Sequence, residues 1–400
     1  MPYIQLAALL AALATVGPFS IDTYLPALHA IGEELNATPL EVQQTLTAYM
    51  LPMGAMVLWH GAFSDAWGRK PVIVVSMLLF ALASLVCVFA GSIETLLVGR
   101  ALQGISAGAG MVVGRAVVRD IMEGPRAQRL MSHVSMAFAL GPAIAPILGG
   151  WIHTAFGWRA VFVFLALLGL ALAALSAWRL VESHPIEARH PLHLRPLARR
   201  YRAVFASPGF LLLSIAVSLN FNGFFIYVLS APVFLMRHLG LGETEFGWMF
   251  IPGVIGMMAG SGLSARLAGR LSQARTIRLG FALILGAAGL NLAVSYLLPA
   301  GLPQSVLPIM AYNFGMAIAM PSLTLLALDH FPTHRGLASS CQSFVQMVIS
   351  SVTAGIVAPA LWGSVGSLAF GMTAMLLLGL ACFTAWWWFF HRRRHEAGPA

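Results

Sequence analysis

The feature that most constrains this chain is a succession of apolar segments, each long enough to cross a lipid bilayer. A helix needs about 20 mainly apolar residues to span a hydrocarbon core of ~30 Å. Segments that meet this requirement lie near residues 4–28, 41–61, 72–90, 95–116, 131–153 and 159–180, and again near 210–235, 246–266, 277–298, 305–328, 338–361 and 367–390. Backbone groups in hydrocarbon must bond within their own segment, so we predict an all-α membrane protein with twelve spans.

Composition excludes most other classes. Hydrophobic residues make up 59% of the chain and charged residues 9%, against roughly 25% charged in soluble domains. The net charge of +9 does not indicate nucleic-acid binding. The arginines lie between apolar segments and do not cluster with aromatic residues in a basic patch. Cys87, Cys341 and Cys382 lie inside apolar runs without metal-ligand spacing, so we expect no disulfide, no metal and no cofactor. We also read the first apolar run as a retained span, since it lacks a basic leader and a clean cleavage site.

The spans divide into two sets of six, separated by the longest polar interruption. We therefore predict an N-terminal six-helix bundle over 1–181, a cytoplasmic linker over 182–208, a C-terminal six-helix bundle over 209–391 and a tail over 392–400. Placing the N-terminus in the cytoplasm puts Arg69, Lys70 and six arginines between Arg179 and Arg202 inside, and leaves only Arg159 and Arg237 outside. This positive-inside bias predicts that both termini are cytoplasmic.

A short internal repeat indicates that the two halves are related. The loop after span 2 reads Gly61-Ala-Phe-Ser-Asp-Ala-Trp-Gly68-Arg69, and the loop after span 8 reads Gly262-Leu-Ser-Ala-Arg266-Leu-Ala-Gly-Arg, at an offset of 201 residues. Repeat symmetry of this kind is typical of secondary transporters. The acid at position 65 is replaced by Arg266 in the second copy, so the two halves are not equivalent there.

Several motifs resemble those of the major facilitator superfamily, and specifically its twelve-span drug:proton antiporters. Gly61, Asp65, Gly68, Arg69 and Lys70 look like the inner-loop motif A. Arg100-Ala-Leu-Gln-Gly in span 4 is similar to motif B, and Gly141-Pro142-Ala-Ile-Ala-Pro146-Ile-Leu-Gly149-Gly150 in span 5 looks like motif C, the antiporter signature. Asp22-Thr-Tyr-Leu-Pro in span 1 is similar to the bicyclomycin/chloramphenicol-resistance (Bcr/CflA) branch. The resemblance implies two pseudo-symmetric six-helix bundles.

Asp22 is the acidic residue that lies well inside a span, and Arg100 reaches a similar depth from the opposite direction. A carboxylate in hydrocarbon costs several kcal/mol unless it is paired, hydrated or protonated. The resemblance implies that Asp22 binds the coupling proton and that Arg100 faces it, so we expect an ion pair between them. The alternatives are an interfacial carboxylate that helps to end span 1, and a structural or snorkelling arginine.

We expect motif A to act as a gate latch, in which Gly68 allows a sharp turn and Asp65 accepts from nearby cations or helix N-terminal amides. The alternative is that Arg69 and Lys70 merely satisfy the positive-inside rule.

In motif C, Pro142 and Pro146 remove two backbone donors and should kink span 5, while its glycines permit close helix approach. We expect this span to pivot and to limit proton leak, the alternative being a lipid-facing kink.

The substrate cavity is expected between the halves near mid-membrane, where such transporters bind. Its candidate residues offer adaptable apolar contacts and uncharged amides. They are Tyr49, Met53, Asn220, Phe221, Asn222, Phe225, Asn313 and Gln346. Each of these residues could equally serve in packing.

These inferences favour a monomeric, proton-coupled exporter of small amphipathic drugs, of the phenicol or bicyclomycin type, in a bacterial inner membrane. Its partners would be the drug, protons and the lipid bilayer. An importer or facilitator of a small polar metabolite or amino acid is the alternative on the same fold. The sequence contains no nucleophile–base constellation, and we expect no enzyme.

Overall fold

The structure is a computed structural model that describes residues 3–189 and 192–391. The predicted tail over 392–400 lies outside these residues. Within them the chain is helical, and the β-type pairing is confined to one isolated bridge between Ala268 and Leu271. The predicted all-α class is confirmed.

Contacts divide the chain into two compact units. The first comprises Met1–His193 together with the short segment Gly242–Gly247. Its helices are α1 (Tyr3–Asp22), α2 (Leu28–Glu34), α3 (Pro39–Trp67), α4 (Arg69–Val88), α5 (Ile93–Ala107), α6 (Ala109–Ile121), α7 (Gly124–Phe156) and α8 (Trp158–Arg179).

The second unit comprises Leu194–Leu241 and the chain from Trp248 onward. Its helices are α9 (Leu194–Phe205), α10 (Pro208–Leu229), α11 (Gly247–Leu267), α12 (Gln273–Leu297), α13 (Leu307–Leu328), α14 (Arg335–Val352), α15 (Ala358–Ala360) and α16 (Val365–Trp386). Helix α9 occupies part of the predicted linker over 182–208, where the apolar pattern did not predict a helix.

Across residues 3–189 and 192–391, 11 helical segments are long and apolar enough to cross a membrane. The remaining long helix, α3, has 29 residues and is of sufficient length. Polar side chains along α3, including Gln43, Gln44 and His60, lower its mean hydropathy. The chain is therefore a multi-pass membrane protein, and the predicted span over 41–61, which falls on α3, is not among these 11 segments.

Local signals in the sequence set several helix ends. The Thr38 side chain accepts a hydrogen bond from the backbone of Glu41, whose carboxylate accepts from the Thr38 amide at 2.7 Å, which completes a capping box at the start of α3. Gly68 separates α3 from α4 with a φ of 100°, and Gly269 after α11 has a φ of 78°. The repeated glycines thus adopt the same class of backbone conformation, which side chains disfavour.

Glycines also allow the helices of each unit to pack at backbone distance. A Cβ at Gly110 on α6 would lie 2.2 Å from the carbonyl oxygen of Leu13, and one at Gly104 would lie 2.1 Å from that of Tyr49. In the second unit, a Cβ at Gly256 would lie 2.3 Å from the carbonyl oxygen of Met310. This small-residue packing suits helices that cannot rely on the hydrophobic effect within lipid.

Candidate functional site

Asp22 lies where the first span breaks. Helix α1 ends at this residue, and a turn leads into a 3-10 helix over Leu25–Ala27 before α2 begins. The Asp22 side chain is buried, with 4% of the residue exposed, and among the described residues it has no hydrogen bond or ion pair. The acid is therefore held, unpaired, at an interruption of a membrane helix.

Arg100 on α5 is completely buried in an aromatic cage. Its guanidinium carbon lies 4.3 Å from the ring centroid of Tyr49 and 4.7 Å from that of Tyr24. Nη1 donates to Gln103 at 2.8 Å and to the Ser20 hydroxyl at 3.2 Å, whereas Nε and Nη2 have no hydrogen-bond partner. Nη1 also donates to the Ser20 carbonyl at 3.3 Å, so cation–π contacts and three hydrogen bonds stabilise the charge, while the donors Nε and Nη2 remain unused.

The expected ion pair between Asp22 and Arg100 is not formed in the part of the chain that the structure describes. The geometry of α1 supplies the reason. Arg100 donates to Ser20, and Tyr49 donates to the Gly17 carbonyl at 2.9 Å, so both contact one face of the helix. Residues two apart on an α-helix point about 200° away from each other. Asp22 consequently projects to a different side from the one that Arg100 approaches.

Motif C on α7 packs against this break. A Cβ at Gly149 would lie 2.0 Å from the carbonyl oxygen of Thr23, the residue next to Asp22. At Gly150 it would lie 2.4 Å from the backbone oxygen of Glu243, whose carboxylate lies 3.2 Å from Nε2 of His153. Pro142 and Pro146 lie within α7, which continues past both. The sequence did not predict the contact with Thr23.

Motif A forms a charge cluster around Arg69. This arginine, 7% exposed, pairs with Asp65, donates through Nε to Asp120 at 2.9 Å and through Nη1 to Ser64 at 2.7 Å. Asp65 is predicted from the sequence, whereas Asp120, near the end of α6, is not. An acid directly after Arg119, in a segment rich in arginine, is the signal that could have identified it.

Glu182, at the start of the predicted linker, was also missed. Its carboxylate accepts from the backbone amides of Arg69 at 2.9 Å and Lys70 at 3.2 Å, which are the unpaired donors at the start of α4. Arg189 lies 3.7 Å from the same carboxylate. The linker is therefore attached to motif A, near Gly68. A Cβ at Gly61, the first glycine of motif A, would lie 3.9 Å from Val112, an ordinary contact, so no close packing requires glycine there.

The substrate candidates fall in both units. In the first, Tyr49 and Met53 are buried, Tyr49 against Arg100 and Met53 against Gly17. In the second, Phe221 and Phe225 stack with ring centroids 5.1 Å apart. Gln346 on α14 is half-buried.

Three buried asparagines of the second unit differ in their hydrogen bonds. Neither Nδ2 nor Oδ1 of Asn220 has a partner. Asn222 donates to the Ser218 carbonyl at 2.8 Å and to the Ser350 hydroxyl at 3.1 Å. Asn313 donates to the Gly253 carbonyl at 3.3 Å, and its Oδ1 is unpaired. Buried amides without partners are costly, so Asn220 is the strongest candidate for contact with a polar ligand.

The site lies among membrane-spanning helices. It contains a buried unpaired acid, a caged arginine and a glycine-rich helix packed against the break. These features are those of a polytopic membrane transporter. Residues 9–354 match the family described as the Major Facilitator Superfamily. The chain belongs to this superfamily, and the resemblance inferred from its motifs is confirmed. No group of three or more His, Cys, Asp or Glu side chains in 3–189 and 192–391 is placed to hold a metal ion.

Relatives of similar length include drug-resistance proteins. The chain is 28% identical over 371 residues to a bicyclomycin resistance protein homolog of Haemophilus influenzae, covering 93% of each chain. It is 28% identical over 403 residues to multidrug resistance protein D of Escherichia coli, covering 99% of this chain and 98% of the relative. It is 30% identical over 341 residues to multidrug resistance protein MdtL of Escherichia fergusonii, covering 85% of each.

Solved structures share the fold. A human organic anion transporter superposes with a TM-score of 0.70 at 18% identity, over 96% of this chain and 100% of that structure. The nucleoside transporter NupG superposes with a TM-score of 0.72 at 14% identity, over 97% and 99%. The predicted major facilitator fold is confirmed.

Proposed function

We propose that this protein exports small amphipathic drugs, of the phenicol or bicyclomycin type, in exchange for protons by alternating access. The names of its relatives support drug export, and the motif C helix packed against the Asp22 break supports antiport. We also propose a bacterial inner-membrane location with both termini in the cytoplasm, and a monomeric state. The two six-helix bundles would cover 1–181 and 209–391, joined by the linker over 182–208.

The observation that carries this proposal is the buried and unpaired carboxyl of Asp22. A charge in such a place costs several kcal/mol, so the side chain is better accommodated when it carries a proton. Release of that proton then requires either water or a cation to reach the carboxyl. In our mechanism the break after Asp22 moves during transport and exposes the carboxyl to one side of the membrane at a time.

Arg100 completes this mechanism in a second conformation. Its Nε and Nη2 are buried donors without partners, and such groups favour any rearrangement that supplies an acceptor. Rotation at the end of α1 would bring the Asp22 carboxylate toward these donors. Pairing would hold Asp22 ionised until substrate or a new proton separates the two residues.

Motifs A and C are proposed to control the movement. The Arg69 cluster stabilises one arrangement of the inner helix ends, so it acts as the gate latch. Gly149 and Gly150 hold α7 at backbone distance from its neighbours, so a tilt of α7 is transmitted directly to the Asp22 break. The tight packing also restricts proton leak along α7.

The experiment is drug efflux in everted vesicles with an imposed pH gradient. Asp22→Asn keeps the size of the side chain and removes the titratable group, so gradient-driven transport should be lost while the protein remains folded. Asp329→Asn is the matched control, because Asp329 forms an exposed pair with Arg335. Uphill transport by Asp22→Asn at the rate of the control would contradict proton coupling through Asp22.

A second candidate function is uptake or facilitated diffusion of a small polar metabolite or amino acid. The unpaired amide of Asn220 favours it, because a polar nutrient could satisfy both amide atoms. Counterflow in vesicles of known orientation separates the two functions. Outward drug movement with inward proton movement supports export, and gradient-independent exchange of a polar metabolite supports the alternative.

A further inference from the structure

A small cavity opens among α1, α6 and α7 in the first unit, apart from Asp22 and Arg100. Its volume is about 70 Å³. The lining is apolar except for Arg115 and Ser135, and includes Leu10, Met111, Met131 and Phe138. No carboxylate lines it.

Arg115 lies inside the membrane-crossing segment Ile93–Ile121. Within the described ranges, its guanidinium has neither a hydrogen bond nor an ion pair. The nearest acid along α6 is Asp120, which already accepts from Arg69 at 2.9 Å and from Ser183 at 3.1 Å. Arg119, which interacts electrostatically with Arg115, is a second cation. The Arg115 side chain is exposed at the mouth of the cavity, and an arginine in a membrane helix faces water or an anionic partner, so this charge is free to bind an anion.

We propose that this cavity is a binding site for the anionic head group of an amphipathic molecule, with Arg115 as the residue that recognises the charge. A carboxylate or phosphate can accept two parallel hydrogen bonds from the planar guanidinium. Ser135 can donate another. The methionines, Phe138 and Leu10 then contact the first carbons of the tail.

The size of the cavity limits the ligand. A cavity needs about 10–15 Å³ for each water-sized group, so this one accommodates a head group and a few attached carbons. The rest of the tail must extend beyond the lining. A free alkyl phosphate and an anionic phospholipid share this chemistry, and the experiment distinguishes them.

The test measures binding of radiolabelled dodecyl phosphate to the purified full-length protein in a neutral detergent. Arg115→Gln should weaken binding roughly 10-fold or more, the expected loss of a charge-assisted contact. Arg119→Gln is the matched control, because Arg119 lies one turn further along α6, is exposed as Arg115 is, and does not line the cavity. It should change affinity by less than about 3-fold. Arg115→Lys should bind with intermediate affinity, and uncharged dodecanol should not compete.

A second arm uses nanodiscs of phosphatidylglycerol or phosphatidylcholine. The ligand is a lipid if the native protein retains phosphatidylglycerol, Arg115→Gln does not, and dodecyl phosphate does not bind. Binding of dodecyl phosphate identifies a free amphiphile. Equal binding of both ligands by native protein and folded Arg115→Gln, or equal losses in Arg115→Gln and Arg119→Gln, would overturn the proposal. Asp22→Asn should bind normally, so failure of proton coupling leaves this result unaffected.

Discussion

The α-carbon of Gly149 lies so close to the carbonyl oxygen of Thr23 that even one added methyl group would collide with it, at 2.0 Å. Thr23 follows Asp22 directly, so the antiporter motif on α7 and the proposed proton site on α1 are in backbone contact. The contact is made by the backbone oxygen of Thr23 and not by its side chain, so the sequence does not reveal it.

Gly149→Ala should therefore impair both stability and transport. Overpacking costs roughly 1–3 kcal/mol, and relief of the collision would displace the Asp22 break. Gly141→Ala is the control, because its Cβ would lie 3.9 Å from Cγ2 of Thr15, an ordinary contact. Thermal unfolding and drug efflux should distinguish the two variants. Equal melting temperatures for both would show that α7 can move away at no cost.

Arg100→Lys should abolish transport although it preserves the charge. Lysine cannot present a planar group to both Tyr24 and Tyr49 while it donates to Gln103. Arg179→Lys is the matched control, since Arg179 lies 4.0 Å from the ring centroid of Trp178 but is exposed. Efflux should remain near native in the control. Native efflux in Arg100→Lys would mean that a positive charge alone suffices at this position.

Glu182→Ala should destabilise the start of α4, because two backbone amides lose their acceptor. The loss of a helix cap costs roughly 0.5–2 kcal/mol. Asp329→Ala serves for comparison, since its exposed pair with Arg335 is worth at most about 1 kcal/mol. Thermal unfolding of the purified variants tests this, and a Glu182→Ala protein as stable as Asp329→Ala would argue against the cap.

Asn220→Ala should mainly lower ligand affinity, whereas Asn222→Ala should mainly lower stability. Removal of the unpaired Asn220 amide leaves no hydrogen bond broken, so unfolding should be little affected while ligand affinity falls. Asn222→Ala removes the amide group that donates to the Ser218 carbonyl and the Ser350 hydroxyl. We expect this loss to lower the free energy of unfolding by roughly 1–3 kcal/mol. Parallel measurements of melting temperature and drug binding test both. Unchanged binding by a folded Asn220→Ala protein would remove Asn220 from the substrate site.

Much of the fold could be predicted from the sequence because hydrophobic length and glycine spacing report directly on membrane helices. Gly68 and Gly269 were recognised from their spacing, and both have positive φ. The apolar pattern does not report on breaks inside a span. Because apolar residues continue on both sides of Asp22, the end of α1 at this residue entered the sequence prediction only as an alternative.

For the candidate site, the sequence indicated residues but not the contacts between them. Asp22 and Arg100 were identified by depth along their helices, yet depth says nothing of rotation about the helix axis. Ser20, two positions earlier, therefore takes the place expected of Asp22 beside Arg100. Asp120 and Glu182 are distant in sequence from motif A, and only tertiary structure brings them to Arg69.

The attachment of Glu182 to α4 has a practical consequence for expressing the protein as two polypeptides. A cut after residue 181, the predicted end of the first bundle, would place Glu182 on the second fragment and separate it from α4, which it caps. A cut between residues 190 and 193 would leave Glu182 and Arg189 with the fragment whose helix they stabilise, and α9 whole on the other. Fragments divided there should reassemble into an active pair more readily than fragments divided at 181.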